Sequence, residues 1–309
     1  MIGYCDEGYF YGLISMGSLL NATAVVQIAP LQLSVINIDE HGGFLVQINM
    51  LGASVSTFAL ARLSLVDFSD REFTLLHLSA YSGGGDAYSL IRIAAINSTS
   101  EHTVISAFQF SLLNTAGFHS LGKAWHPLTE EWLANKKDNY GFRGFAQVGA
   151  MNFSYTFKGF TQVGTIFSYT GSFLGLMQTG LINSAGYGSL GDSLIMTQEE
   201  ELPNETITDE KTGEVTELGQ AREGFRGGFQ VGVWNTATKF AGIGQFGVLN
   251  MVQTMKGLQT GVVNVARTVY GAQIGLVNYT GDLYGFQIGL VNIVKNNKVF
   301  FMPILMASF

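Results

Sequence analysis

The stretch GLQTGVVNVARTVYGAQIGLVNYTGDLYGFQIGLVN, running from Gly257 to Asn292, carries one octad three times: Gly, any residue, Gln, any residue, Gly, two apolar residues, Asn. Its centres, Gln259, Gln273 and Gln287, stand fourteen residues apart. A repeat of this kind outranks any short motif, because each copy is a structural unit that buries its face only against its neighbours.

Outward from this stretch the octad recurs at Gln245, Gln230, Gln178, Gln162 and Gln147. It continues in weaker form at Gln109, Arg92, His77, Arg62, Gln47, Gln32 and Met16, making fifteen copies. Two beyond the centre stands a small residue, Gly in eight copies and Ser in five; five beyond stands Asn in eleven. The well-kept copies therefore set out the structural positions of the repeat. These are Gln147, Gly149 and Asn152; Gln178, Gly180 and Asn183; Gln230, Gly232 and Asn235; Gln245, Gly247 and Asn250; Gln259, Gly261 and Asn264; Gln273, Gly275 and Asn278; and Gln287, Gly289 and Asn292. Steric room rules the small position, and Asn marks a turn that follows each copy. Phe167 replaces Asn in the copy centred on Gln162, and Gly52, Asp67 and Ser82 replace it in earlier ones.

Composition agrees with a β protein read as one repeat-built domain over residues 1–309. With 39 glycines, four prolines, 47% hydrophobic and 13% charged residues, the chain is too apolar for disorder and too poor in helix formers for a helical array. Eighteen of its 39 charged residues lie in two inserts, 115–140 and 186–224. A net charge of -7 without a basic stripe argues against a nucleic-acid partner. The lone Cys5 excludes an internal disulfide and a cysteine metal cluster. No apolar run is long enough for a transmembrane helix.

In an extended strand alternate residues face opposite ways. The positions one before, one after and three after the centre supply 45 residues over the fifteen copies, of which 38 are apolar and none is charged. Two architectures follow. In the first, this face meets lipid and short strands build an antiparallel membrane β-barrel-like sheet. In the second, the copies stack as rungs of a β-solenoid, the apolar face is the core, and Gln and Asn form ladders.

The first insert, FHSLGKAWHPLTEEWLANKKDNYG, predicts a short amphipathic helix, with Pro127 in its first turn and Lys136 and Lys137 near its end. Trp125, Leu128 and Trp132 share one side, which suits either a membrane interface or packing on the protein's own strands. The second insert reads as an acidic solvated loop with a hairpin near Lys211 to Gly213. The chain closes on KVFFMPILMASF, an alternating strand ending at Phe309, as the assembly signals of bacterial outer-membrane proteins do.

Residues such as GAQIGLVNYTGDLYGFQIGLVN resemble the bacterial surface-repeat family first described in leptospiral surface proteins. The likeness implies a β-architecture protein of a Gram-negative cell envelope, and it brings no catalytic residue with it. The expectation is an integral outer-membrane protein, its leader removed before residue 1, with membrane lipid and copies of itself as partners. Its role would be passive: structural, membrane-organising or pore-like. The alternative is a surface-exposed solenoid serving adhesion or scaffolding. No cofactor and no enzyme activity are expected, since no catalytic set recurs with the repeat. Arg62, His77 and Arg92, on neighbouring copies, are the nearest approach to a functional row.

Overall fold

The computed structural model describes residues 2–6, 9–99, 103–117, 141–186, 206–208, 215–217 and 224–308. The candidate interface residues Trp125, Leu128 and Trp132, and the terminal Phe309, lie outside them. Among the described residues almost everything is strand and no helix occurs. The elements are β1 (Ile2–Asp6), β2 (Tyr9–Thr99), β3 (Thr103–Ala116), β4 (Gly141–Thr179), β5 (Ile182–Ala185), β6 (Thr206–Thr208), β7 (Val215–Glu217), β8 (Gly224–Val231), β9 (Trp234–Phe246), β10 (Leu249–Val294) and β11 (Phe301–Ser308).

A strand of 91 residues, such as β2, is physically sensible only if it pairs with itself. Within each of two compact units the chain coils, one copy per turn, and each turn forms the sheet with the next. The units are Met1–Leu121 with Asn139–Ser168, and Gly122–Asp138 with Tyr169–Phe309. In the first, β2 pairs β3 with Arg92 opposite Gln109, and β3 pairs β4 with Gln109 opposite Gln147. In the second, residues 172–179 of β4 pair β8, β8 and β5 pair β9, and β9 pairs β10, with Gln178, Gln230, Gln245 and Gln259 in step.

Every one of these pairings between copies is parallel, which corrects the antiparallel arrangement expected above. The reason is connectivity. A turn of fourteen residues returns the chain to its starting point running in the same direction, so like residues stack on like. Among the described residues antiparallel pairing occurs only at β1 with β2, at β11 with the last turn of β10, and between β6 and β7. The last of these is a two-stranded ribbon on either side of residues 209–214, where the sequence suggests a hairpin. Strand β11 covers the open edge of the final rung, with Met306 opposite Gln287, so that edge is not left to pair with another chain.

The faces are also reversed relative to the solenoid expectation. The Gln and Asn positions are inside, and the apolar positions one and three beyond the centre are outside. In the last two copies Gln273, Asn278, Gln287 and Asn292 are fully buried, whereas Leu276 is 53% and Leu290 67% exposed. Simple alternation would send Gln and the Asn five residues later to opposite faces. A bulge between them restores the direction: the amides of Val262 and Val263 both donate to Val248 O, at 3.0 and 2.9 Å, and Val248 and Leu249 share Val233 O in the same way. Seven and ten beyond the centre a small and a larger apolar side chain complete the interior, as Ala266 and Val269 do after Gln259. In the preceding rungs the larger position is a stack of Phe173, Phe225 and Phe240, with ring centroids 4.7 and 4.8 Å apart.

Candidate functional site

Turn stacking brings identical amides to the strand spacing of about 4.8 Å, where each primary amide offers one N–H upward and one carbonyl downward. In the second unit Gln287 Nε2 donates to Gln273 Oε1 at 2.6 Å, and the chain continues through Gln259, Gln245 and Gln230 to Gln178 at 2.7 to 2.8 Å. The asparagine ladder runs the other way. Asn183 Nδ2 donates to Asn235 Oδ1 and so on through Asn250, Asn264 and Asn278 to Asn292, at 2.8 to 2.9 Å. The two rows of side-chain dipoles are therefore opposed. The other Asn hydrogen reaches a main-chain carbonyl on the next turn, as Asn264 does to Ile274 O at 2.9 Å.

In the first unit Gln162 donates to Gln147 at 2.9 Å and Gln147 to Gln109 at 3.0 Å, while Asn97, Asn114 and Asn152 form the partner row. Gly149 lies in the same crowded place as its equivalents, beside Asn114 and Asn152. Phe167 does not enter the Asn slot. Ser168, one residue later, is the fully buried group, so this turn carries one extra residue.

Toward the N-terminus the amide ladder gives way to charge. Arg92, His77 and Arg62 occupy the central slot, Asp67 and Ser82 the Asn slot, and Glu72 an interior position between Asp67 and His77; all are buried. Arg62 Nη2 contacts Asp67 Oδ1 at 2.5 Å, and Arg92 Nη1 lies 3.4 Å from Glu72 Oε2. His77 Nδ1 bonds Glu72 Oε1, and its Nε2 lies 3.6 Å from Asp67 Oδ2. Arg92 also donates through Nη2 to Ser82 Oγ and through Nε to Asn97 Oδ1, the latter at 3.0 Å. Two guanidiniums thus balance two carboxylates in a space without water access.

Burial pushes the Glu72 carboxyl up, but the charges of His77 and Arg92 and the His77 hydrogen bond reverse this and hold it well below the usual range. For Asp67 burial prevails over Arg62 and His77, and its pKa is raised. Asp39 is raised too, by burial above all, although Asn37 Nδ2 donates to its Oδ2 at 3.0 Å.

The sequence reading finds Arg62, His77 and Arg92, and the structure brings them together on successive turns. It misses Glu72, which sits in the run REFTLLH where an interior apolar residue is the rule. A signal was present: Asp67 stands five residues after Arg62, a charged pair replacing the Gln and Asn of one copy. His77→Gln alone is consequently expected to lower stability, because it removes the imidazole that hydrogen-bonds buried Glu72.

Asp67, Glu72 and His77 each offer one ligand atom, all within 4.8 Å of one another, the nearest approach to a metal set among the described residues. Their carboxylates are already neutralised by Arg62 and Arg92. A cation would have to displace guanidinium contacts, so these residues fit a charge ladder better than a metal site.

No protein-family model, curated protein or solved structure matches this chain.

Asp39 offers a pH test of the buried charge. A carboxyl whose pKa is raised on folding contributes its stability below the unfolded value, near 3.8, and loses it as pH rises through the folded value. Asp39→Asn is expected to keep the Asn37 hydrogen bond, to raise stability at pH 8 by about 1 kcal/mol, and to do little at pH 4. Denaturant midpoints at the two pH values check this, and an equal shift at both would show that ionisation of Asp39 is not the cost.

Proposed function

We propose that this chain is a passive β-solenoid scaffold of the Gram-negative outer membrane, lying with its apolar outer wall against lipid. The observation that carries this reading is the wall itself. One and three residues beyond the centre, turn after turn, stand exposed aliphatic side chains: Ile48 and Met50, Leu63 and Leu65, Ile274 and Leu276, Ile288 and Leu290. A repeated aliphatic surface without charge has no pattern by which to select one protein partner, and it suits a fluid apolar phase.

Parallel stacking favours lying on the membrane over spanning it. A spanning body needs an apolar belt around its circumference. Here the outward positions eight and nine beyond the centre carry Glu40, Asp70, Arg71, Arg267 and Lys295, all exposed. Amide ladders line the interior of each unit, and the buried charge cluster fills part of the first, which suits a scaffold better than a conducting channel. The octad's likeness to the leptospiral surface repeats supports placement in the envelope.

Flotation of the full chain with phospholipid vesicles tests the reading. The double substitution Leu276→Gln, Leu290→Gln is expected to weaken partition at least about tenfold, since burial of each Leu contributes on the order of 1.5 kcal/mol. Undiminished flotation of a folded double variant would remove the wall as the lipid contact. A wild-type protein that stays in the aqueous fraction and assembles into discrete oligomers would assign the wall to copies of the chain.

A further inference from the structure

The outward wall of the second unit has an edge of its own. The register sets Leu174 beside Arg226, Arg226 beside Ala241, and Ala241 beside Lys256. Tyr270 and Tyr284 continue the column on the next two turns: Lys256 Nζ lies 5.7 Å from the Tyr270 ring centroid, and the Tyr270 and Tyr284 rings stack 4.9 Å apart. Arg226, Lys256, Tyr270 and Tyr284 are all exposed. The column is three or four residues before the central Gln, and so borders the aliphatic rows one and three beyond it.

Charge is distributed in the same sense. Outside the acidic insert at 186–224, residues 169–308 hold six basic side chains, Arg226, Lys239, Lys256, Arg267, Lys295 and Lys298, against one acidic side chain, Asp282. An aliphatic wall edged by tyrosines and cations matches the layering of a membrane surface, where acyl chains give way to headgroups. Tyrosine suits that boundary because its ring is apolar and its hydroxyl is polar. Basic residues there gain from an anionic leaflet within about a Debye length.

We infer that the second unit binds the surface of an anionic phospholipid bilayer, with the column Arg226, Lys256, Tyr270 and Tyr284 at the headgroup level and the aliphatic rows below it. This rests on the wall being the lipid contact, and it adds a preference for negative headgroups. The occupant follows from charge complementarity. An acidic protein surface would also attract the cations, but it would leave the neighbouring aliphatic rows in water.

The test is flotation of the full chain with vesicles of phosphatidylcholine alone and with 3 parts in 10 replaced by phosphatidylglycerol, as an order-of-magnitude physiological charge density, at low and high salt. Partition onto the anionic vesicles is expected to be about tenfold or more the stronger, with the difference lost at high salt. Arg226→Gln with Lys256→Gln is expected to lower anionic partition roughly 25-fold, about fivefold for each charge. The charge-keeping pair Arg226→Lys, Lys256→Arg should retain the preference, and circular dichroism establishes that each variant is folded.

Equal wild-type partition onto both vesicle types overturns this inference and leaves the lipid wall standing. Partition onto neither overturns both. If the Gln pair misfolds, the charge-keeping pair decides: retained preference supports the headgroup contact, and loss of preference in that folded pair refutes it.

Discussion

Gly275→Leu is expected to prevent the second unit from closing its last turns. A Cβ at Gly275 would stand 2.5 Å from Gly261 O and 2.6 Å from Asn264 Nδ2, with Asn278 Oδ1 at 3.1 Å. Backbone and a buried amide row cannot swing aside as a flexible side chain would. Relief requires parting two turns of the sheet and breaking the Asn ladder, at a cost of about 3 to 5 kcal/mol. Gly289→Leu should behave alike, since its Cβ would overlap Gly275 O and approach Asn278 Nδ2 at 2.6 Å. Leu276→Gln, one residue away but on the exposed wall, should change stability by less than about 0.5 kcal/mol. Denaturant unfolding of the three variants checks the contrast. A Gly275→Leu midpoint equal to wild type would mean that the turns have slack the geometry denies.

The second large effect is expected at the charge cluster. Arg62→Leu leaves Asp67 buried opposite an apolar side chain, with His77 at 3.6 Å and the field of Arg92 to offset its charge. Breaking one partner of a buried pair costs about 3 to 5 kcal/mol, mostly as the penalty on the charge left behind. Arg62→Gln combined with Asp67→Asn should recover much of the loss, because it restores the Gln and Asn of the repeat and removes both charges together. Thermal unfolding of wild type, single and double variants forms the test. If the double variant is no better than Arg62→Leu, the cluster is not a substitute for the amide ladder. On acidification the wild type should lose the contribution of Glu72: a carboxylate with a depressed pKa stabilises above its unfolded value and loses this as pH falls toward its folded value.

Much of this architecture was legible in the octad. Periodicity marks the turns, and the bare position after each Gln marks a close approach. Glycine has a second role that the octad shows only as consensus. Gly257, Gly271 and Gly285, two before the centre, have φ of 137°, 138° and 143°, a region that L side chains rarely adopt. The sequence shows a Gly there but not which of two reasons demands it.

What the sequence by itself determined is the repeating unit, its all-β character and the chemical identity of each row, because these depend on local residue types and spacing. Only the tertiary structure decided the direction of pairing and which row faces inward. Gln and Asn are five apart, an odd interval that a regular strand places on opposite faces. A bulge, invisible in residue types alone, turns both inside, where stacking gives each amide a like partner and leaves Leu276, Leu290 and their equivalents on the outer wall. The pairing of Glu72 with His77 and Arg92 was likewise settled only by coiling, which brings residues of successive turns into contact across one strand spacing.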